Sequence, residues 1–327
     1  MPRFSSRTVD CIVDERDGLQ KVILDDGSTA YCLADLIGAV RAGDHVVVNT
    51  TAVDLDLGTG GSHVIHWITD PEGNSELRPG RIIKARYLSE QTEVDPHVST
   101  RLDLNGARVL LCVLHSHLGA VAAGMNSPDL GYLMTDQAAL PLALSDLVAD
   151  LRRRNLLGLT VTAGQAFGGD LEAINVASGI AALLDNNHSK VVVSAGPGHV
   201  GTGLGLGFSS LELAGHAATL SALGAEVAVC VRASDVDPRE RHNGVSHHMK
   251  TILEATPTSI DVPIPHGVES SWITSLNHRP CSIEPIDIAA ALDGSVITLE
   301  TMGRPLTDDA LACSYVGASV AWLMGTT

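Results

Sequence analysis

Of the fourteen histidines in the chain, a few have spacings that suit chemistry. His247 and His248 are adjacent and follow Ser246, an expected N-cap, which places both in the first turn of a helix. There the helix dipole favours neutral imidazole, the form that ligates a metal or serves as a base. Adjacent helical residues diverge by about 100°, so one ring is expected to meet a ligand while the other orients or packs. His242 lies just before them on a loop that can fold back, and His242, His247 and His248 form the candidate metal set. His115 and His117 are two apart, so on an extended strand end they face the same side, as two ligands of one metal would. Asp136 and Asp170 are expected to orient histidines or help hold a divalent metal, although Asp170 also reads as a helix N-cap before Leu171-Glu172-Ala173. Ordinary hydrogen-bonded histidines are the plainer account and stay open.

The second chemical feature is a glycine run. Gly196, Gly198 and Gly201 satisfy Gly-x-Gly-x-x-Gly directly after an apolar strand, and Gly196, Gly198, Gly201, Thr202 and Gly203 are the candidate cradle for a phosphate or carboxylate. A dinucleotide site fits poorly. Pro197 removes an amide from the loop, and Asp235 follows about twice as far on as the roughly 20 residues expected for a ribose-binding acid. Ser209-x-x-Glu212, where the run ends, reads as a helix capping box.

These residues gather because of the elements that carry them. From Thr8 to about Thr69 the chain shows short β-rich runs between turn signals such as Asp25-Asp26-Gly27 and Arg41-Ala42-Gly43-Asp44, the pattern of a small antiparallel β-barrel. Leu57-Gly58-Thr59-Gly60-Gly61 reads as a tight turn, and Asp70 to Gly80 as the linker to a second domain, giving domains at 1–80 and 81–327. Beyond Asn105-Gly106, apolar strands at 108–114, 132–135, 159–163, 190–195 and 225–232, with a weaker one at 259–264, alternate with helical patterns at 140–155, 171–186, 210–223 and 246–254. A last strand and helix are expected at 295–301 and 308–324. Such alternation predicts an α/β fold with a mostly parallel, doubly wound sheet and helices on both faces. Ligands of such sheets bind outside the carboxyl ends of the strands, where five consecutive strand ends deliver the residues named above.

Composition narrows the function further. Lysine and arginine number 21 against 38 acidic residues, a formal charge of -17, which is the wrong sign for a phosphate backbone. Only ten aromatic residues are present, too few for a base-stacking platform, so no nucleic-acid role is expected. No signal sequence or run of eighteen apolar residues stands out, and six cysteines without a Cys-x-x-Cys pair read as reduced thiols, so a cytoplasmic protein without a membrane partner is expected.

Several strings together resemble a bacterial family catalogued as domain of unknown function 3866. They are Asn49-Thr50-Thr51-Ala52-Val53, Met134-Thr135-Asp136, Ala166-Phe167-Gly168-Gly169-Asp170-Leu171-Glu172-Ala173, Gly196-Pro197-Gly198, Val200-Gly201-Thr202-Gly203, Gly244-Val245-Ser246-His247-His248 and Thr301-Met302-Gly303-Arg304. The resemblance covers nearly the whole chain and implies no activity. It pairs His115 with Ser116 but carries an apolar residue where this chain has His117 and His199, which leaves His115, His242, His247, His248, Asp136 and Asp170 as the preferred set. The leading expectation is a protein that binds a small anionic molecule, with metal-assisted or acid/base hydrolysis as its reaction. A non-catalytic ligand-binding or homo-oligomeric scaffold is the alternative, and a nucleotide-dependent oxidoreductase the weakest one. The barrel would act as a lid or an oligomer contact.

Overall fold

A computed structural model describes residues 1–56, 60–69, 80–301 and 303–326. The expected linker at 70–79, most of the Leu57 to Gly61 turn and Met302 lie outside the described residues. The chain forms two compact units, Met1–Asp95 and Pro96–Thr327.

The first unit is a closed barrel of β1 (Phe4–Arg16), β2 (Leu19–Leu24), β3 (Thr29–Cys32), β4 (His45–Asn49) and β5 (His63–Ile68), in the order β1-β2-β3-β5-β4. Two four-residue helices, α1 (Ala34–Ile37) and α2 (Thr51–Asp54), interrupt it. Alternation along β2 and β4 sends Val22, Leu24, Val46 and Val48 into its core. Gly27, in the left-handed region at φ +82°, makes the hairpin turn, and Gly43 at φ +94° makes the turn into β4. Closure uses one parallel pairing, β3 with β5. A hairpin of β6 (Ile82–Lys84) and β7 (Thr92–Val94) belongs to the same unit.

The second unit is a sheet of eight strands with helices on both faces. Its elements in chain order are β8 (Arg108–Cys112), α3 (His115–Met125), β9 (Leu130–Thr135), α4 (Asp146–Arg153), β10 (Thr160–Thr162), β11 (Leu171–Glu172), α5 (Val176–Asp185), β12 (Lys190–Ala195), α6 (Glu212–Ala222) and β13 (Glu226–Cys230). Next come the short antiparallel pair β14 (Ala233–Ser234) and β15 (Gly244–Val245), α7 (His247–Ala255), β16 (Asp261–Pro265), α8 (Ser271–Ser275), β17 (Arg279–Ile283), α9 (Ile288–Ser295) and α10 (Ala310–Met324). The sheet order is β11-β10-β9-β12-β8-β13-β16-β17, with every pairing parallel.

The period-two alternation of a strand explains the two cores. Along β8, Val109 and Leu111 join the core under α5 to α8, whereas Leu110 and Cys112 join the core under α3, α4, α9 and α10. Both faces are covered, so the strands read as unbroken apolar runs rather than alternating ones. The chain first steps from β8 to β9 and β10 in one direction, then returns to β12, β13, β16 and β17 in the other. With right-handed crossovers, that reversal puts the two helix sets on opposite faces. The reversal also makes a topological switch beside β8, the place where an open α/β sheet leaves a crevice.

Four expected elements differ, the first being the strand expected at 295–301, where α9 ends at Ser295 and only Glu300–Thr301 is strand, outside the eight-stranded sheet. The segment after β8 is the helix α3 from His115 onward, not a strand end, so His115 and His117 are about 200° apart around a helix and do not share a ligand. The α5 helix begins at Val176 behind an Asn175–Ser178 capping box, and 171–172 is strand, so Asp170 caps nothing. The α6 helix begins behind Leu211 without a side-chain cap, so Ser209-x-x-Glu212 is no capping box.

Candidate functional site

The loop between β13 and α7 is folded onto itself by β14 and β15, and this returns the chain to the carboxyl edge of the sheet. The amide of Ser246 donates to the carbonyl of Arg232 at 2.9 Å. Inside the loop, Asp237 is a buried carboxylate clamped by Arg239, whose Nη2 lies 2.6 Å away and whose Nε and backbone amide donate to its other oxygen at 2.9 and 3.0 Å. Arg304 approaches the same group at 3.5 Å. The clamp fixes the turn of 3-10 helix at Glu240–His242. His242 thereby points back, as expected, and its Nδ1 lies 2.8 Å from the hydroxyl of Ser246. Ser246 was expected to cap α7; it makes no cap bond and orients His242 instead.

His247 and His248 do open α7. Their ring centroids are 4.1 Å apart, and each lies about 5 Å from the ring of His242. One ligand atom from each of the three lies within 4.8 Å of the others. The expectation that adjacent helical histidines must diverge is therefore overturned, because at a helix start the rings turn toward a common loop residue. His248 stacks on Phe208 at 4.0 Å, and neither of its ring nitrogens has a hydrogen-bond partner among the described residues. The same holds for Nε2 of His247 and Nε2 of His199.

His199 is a residue that sequence reasoning set aside, yet its ring lies 6.1 Å from that of His248. The hydroxyl of Ser210 donates to the carbonyl of Val113 at 2.7 Å, so toward His199 it accepts. Nδ1 of His199, 2.9 Å from that oxygen, accordingly carries the proton and leaves Nε2 as a bare lone pair. The signal available in the sequence was its place in the glycine loop at the end of β12, next to the switch point.

Arg232, 7% exposed, follows β13. Burial foremost, with the guanidinium of Arg232, holds His199 and His242 down to about 4. Burial and the neighbouring His247, with Arg232 and the other rings, hold His248 down to about 3. His247 is lowered by burial and by Arg241 and Arg232. Burial in turn pushes Arg232 itself down to about 10. The cluster is thus a set of neutral imidazoles beside one buried cation, chemically able to ligate a metal and to attract an anion.

Part of the glycine loop is bonded within itself. Thr202 N donates to Gly207 O at 2.7 Å, Ser209 N to Val200 O at 2.8 Å and Leu204 N to the Thr202 hydroxyl at 3.2 Å, so these amides are spent inside the loop. Gly198 takes a left-handed φ of +97°, while Gly203 stands in open space. At Gly201 a Cβ would lie 3.1 Å from Cε1 of His248, so a side chain there would press on that ring. Gly196 faces the carbonyl of Ala139 and the sulfur of Met134 at 2.9 Å in the same sense.

The remaining expected residues sit elsewhere. His115 opens α3, with Nδ1 3.2 Å from Ala195 O and Nε2 2.7 Å from the Ser145 hydroxyl, and burial holds it down to about 4. It lines a cavity of about 580 Å³ with Ser116, Pro197, Gly198, His199 and Thr301, so His199 is the residue common to cavity and cluster. The rim also carries Asp146, Asp150 and Glu300 against Arg153, a net negative mouth. Asp136, at the end of β9, accepts the amide of Gln165 at 2.9 Å and lies against Gly164, bracing that turn. Asp170 accepts the amide and hydroxyl of Thr160 at 2.9 and 2.8 Å and pairs with Arg152 at 2.6 Å. It ties the beginning of β10, four strand steps and roughly 19 Å from β13, so it does not join the histidines. Glu212 accepts the hydroxyl of Thr135 and pairs with His216 at 3.2 Å.

Comparison with known families agrees with the strings noted in the sequence. The model of the family described as protein of unknown function (DUF3866) matches residues 29–320, and the chain belongs to that family. No curated protein matches it.

Proposed function

We propose that this member of the DUF3866 family is a metal-dependent hydrolase that acts on a small anionic substrate. The observation that carries the reading is the convergence of His242, His247 and His248, with buried nitrogens of the latter two lacking any hydrogen-bond partner among the described residues. Buried polar atoms are rarely left unsatisfied, and each costs about 1–3 kcal/mol if nothing binds it. His242, His247 and His248 would hold a divalent metal ion through their free lone pairs, and the chemistry it would supply is activation of water near neutral pH. The bare Nε2 of His199 then serves as the acid/base group at the border of the cavity. Arg232, buried and acting on all four imidazoles, is the cation for the substrate's anionic group, and it works against an acidic cavity rim that repels an anion. The dinucleotide reading loses the amide of Thr202, which is bonded within the loop, and Pro197 supplies none.

The test is elemental analysis of protein purified without tag or chelator, beside the variant His247→Ala/His248→Ala, followed by a screen of phosphate and carboxylate esters. About one equivalent of transition metal lost in the variant, with hydrolysis lost in parallel, supports the reading. A native protein whose metal content is unchanged in the variant, or that has none after reconstitution with zinc or manganese, overturns it.

A further inference from the structure

A second cluster lies on the other face of the sheet, outside the histidine site. Cys112 ends β8 and Cys230 ends β13, and the two are register partners in adjacent parallel strands. Their side chains enter the core beneath α3 and α10 and are 1% and 0% exposed. His117, in the first turn of α3 and 4% exposed, comes over them. One ring nitrogen and the two sulfurs lie within 4.8 Å of one another. Nδ1 of His117 is buried without a hydrogen-bond partner among the described residues.

We propose that Cys112, His117 and Cys230 form a buried structural site for a thiophilic divalent ion, zinc by chemical class. Two thiolates and an imidazole are ligand types that zinc prefers, and two thiolate charges cancel a dication. A cysteine pair alone would pack as a small apolar group, but an imidazole with an orphaned buried nitrogen is not explained by packing. Binding converts both thiols to thiolates and releases their protons to solvent, with no change of oxidation state. The ion would pin β8, β13 and the start of α3 together at the switch point, directly below the crevice.

Cobalt replaces zinc with a visible signature and is the probe. The full-length protein is stripped with chelator under denaturant and refolded with cobalt(II). The expected spectrum contains thiolate-to-cobalt charge-transfer absorption, which a histidine-only site does not produce. That band should persist undiminished in His247→Ala/His248→Ala and fall at least tenfold in Cys112→Ser/Cys230→Ser. If the serine variant does not fold, His117→Leu retains both thiols and should still weaken cobalt binding at this band at least tenfold. A wild-type protein without the band, or a band that survives removal of both cysteines, overturns the proposal. Because the readout is the sulfur ligand alone, its failure leaves the tri-histidine reading standing, and the reverse is equally true.

Discussion

Asp237→Asn tests whether the loop clamp positions the site. The carboxylate side chain is 2% exposed and accepts three bonds from Arg239, with Arg304 beside it. Removing one partner of a buried ion pair costs about 3–5 kcal/mol when the other charge is stranded. Here the two arginine side chains are about a third exposed and keep part of their hydration, which lowers the expected loss to about 2 kcal/mol at pH 7. For a unit of this size that is a fall in melting temperature of roughly 4–8 °C.

The pH dependence supplies the sharper check. The Arg239 bonds hold the folded carboxyl below its ordinary value, so the stabilisation is complete above the unfolded pKa near 4 and is lost as pH falls below it. At pH 3 the unfolded aspartate is mostly protonated and about 1.3 kcal/mol of the 2 should have gone. Wild type and variant compared by denaturant titration at pH 7 and pH 3 should therefore differ by about 2 and then about 0.7 kcal/mol. Equal stability at pH 7, or a gap that does not shrink in acid, refutes the clamp. Loosened metal binding in the variant at pH 7 would connect the clamp to His242.

Other substitutions separate the site from its surroundings. Gly201→Ala presses a methyl group toward the His248 ring and should weaken metal binding at least tenfold by titration, whereas Gly203→Ala, in open space, should leave it within twofold. Asp170→Ala should cost about 1–3 kcal/mol by denaturant titration, through the stranded Thr160 bonds and Arg152, while leaving metal content unchanged. Gly215→Ala, inside α6 with nothing near its Cβ position, should stabilise by about 0.5–1 kcal/mol in the same assay. Gly158→Ala, which drives a methyl group onto the carbonyl of Pro128, should prevent normal accumulation of folded protein, read as the soluble fraction on expression.

Much of the architecture was legible because its signals are local. Alternation in β2 and β4 and turn residues such as Gly27 define a barrel within a few residues, and apolar runs at 108–112 and 190–195 define buried parallel strands. The helix α3 was not legible for a physical reason. Its residues from Leu118 to Ala123 are buried almost all round between the sheet and α9, α4 and α10, so no polar face marks a 3.6-residue period. Gly119 and Gly124 leave room where Leu299 and Val320 pack against the helix, at the places a Cβ would stand. Mistaking that helix for a strand end is what paired His115 with His117.

The histidine cluster was half legible for a related reason. His242, His247 and His248 lie within one short loop and one helix start, so sequence proximity stands in for spatial proximity. His199 reaches them only through the order of the strands, since β12 and β13 flank β8 although a long loop and α6 separate them in the chain, while Arg232 reaches them through the β14–β15 pairing that folds the loop back. The same adjacency joins Cys112 to Cys230 on the opposite face, and no spacing rule in the sequence connects residues so far apart. Residues that meet through the sheet, rather than through a loop, become visible only when the switch at β8 is known. That argument also ranks the experiments. A substitution within 242–248 disturbs one loop, but a change at Cys112 or Cys230 acts on the two strands that bring both clusters together. Loss of the tri-histidine site in Cys112→Ser would then follow from β8 and β13 parting, and an intact one would show that the sheet holds its register without help from the buried thiols.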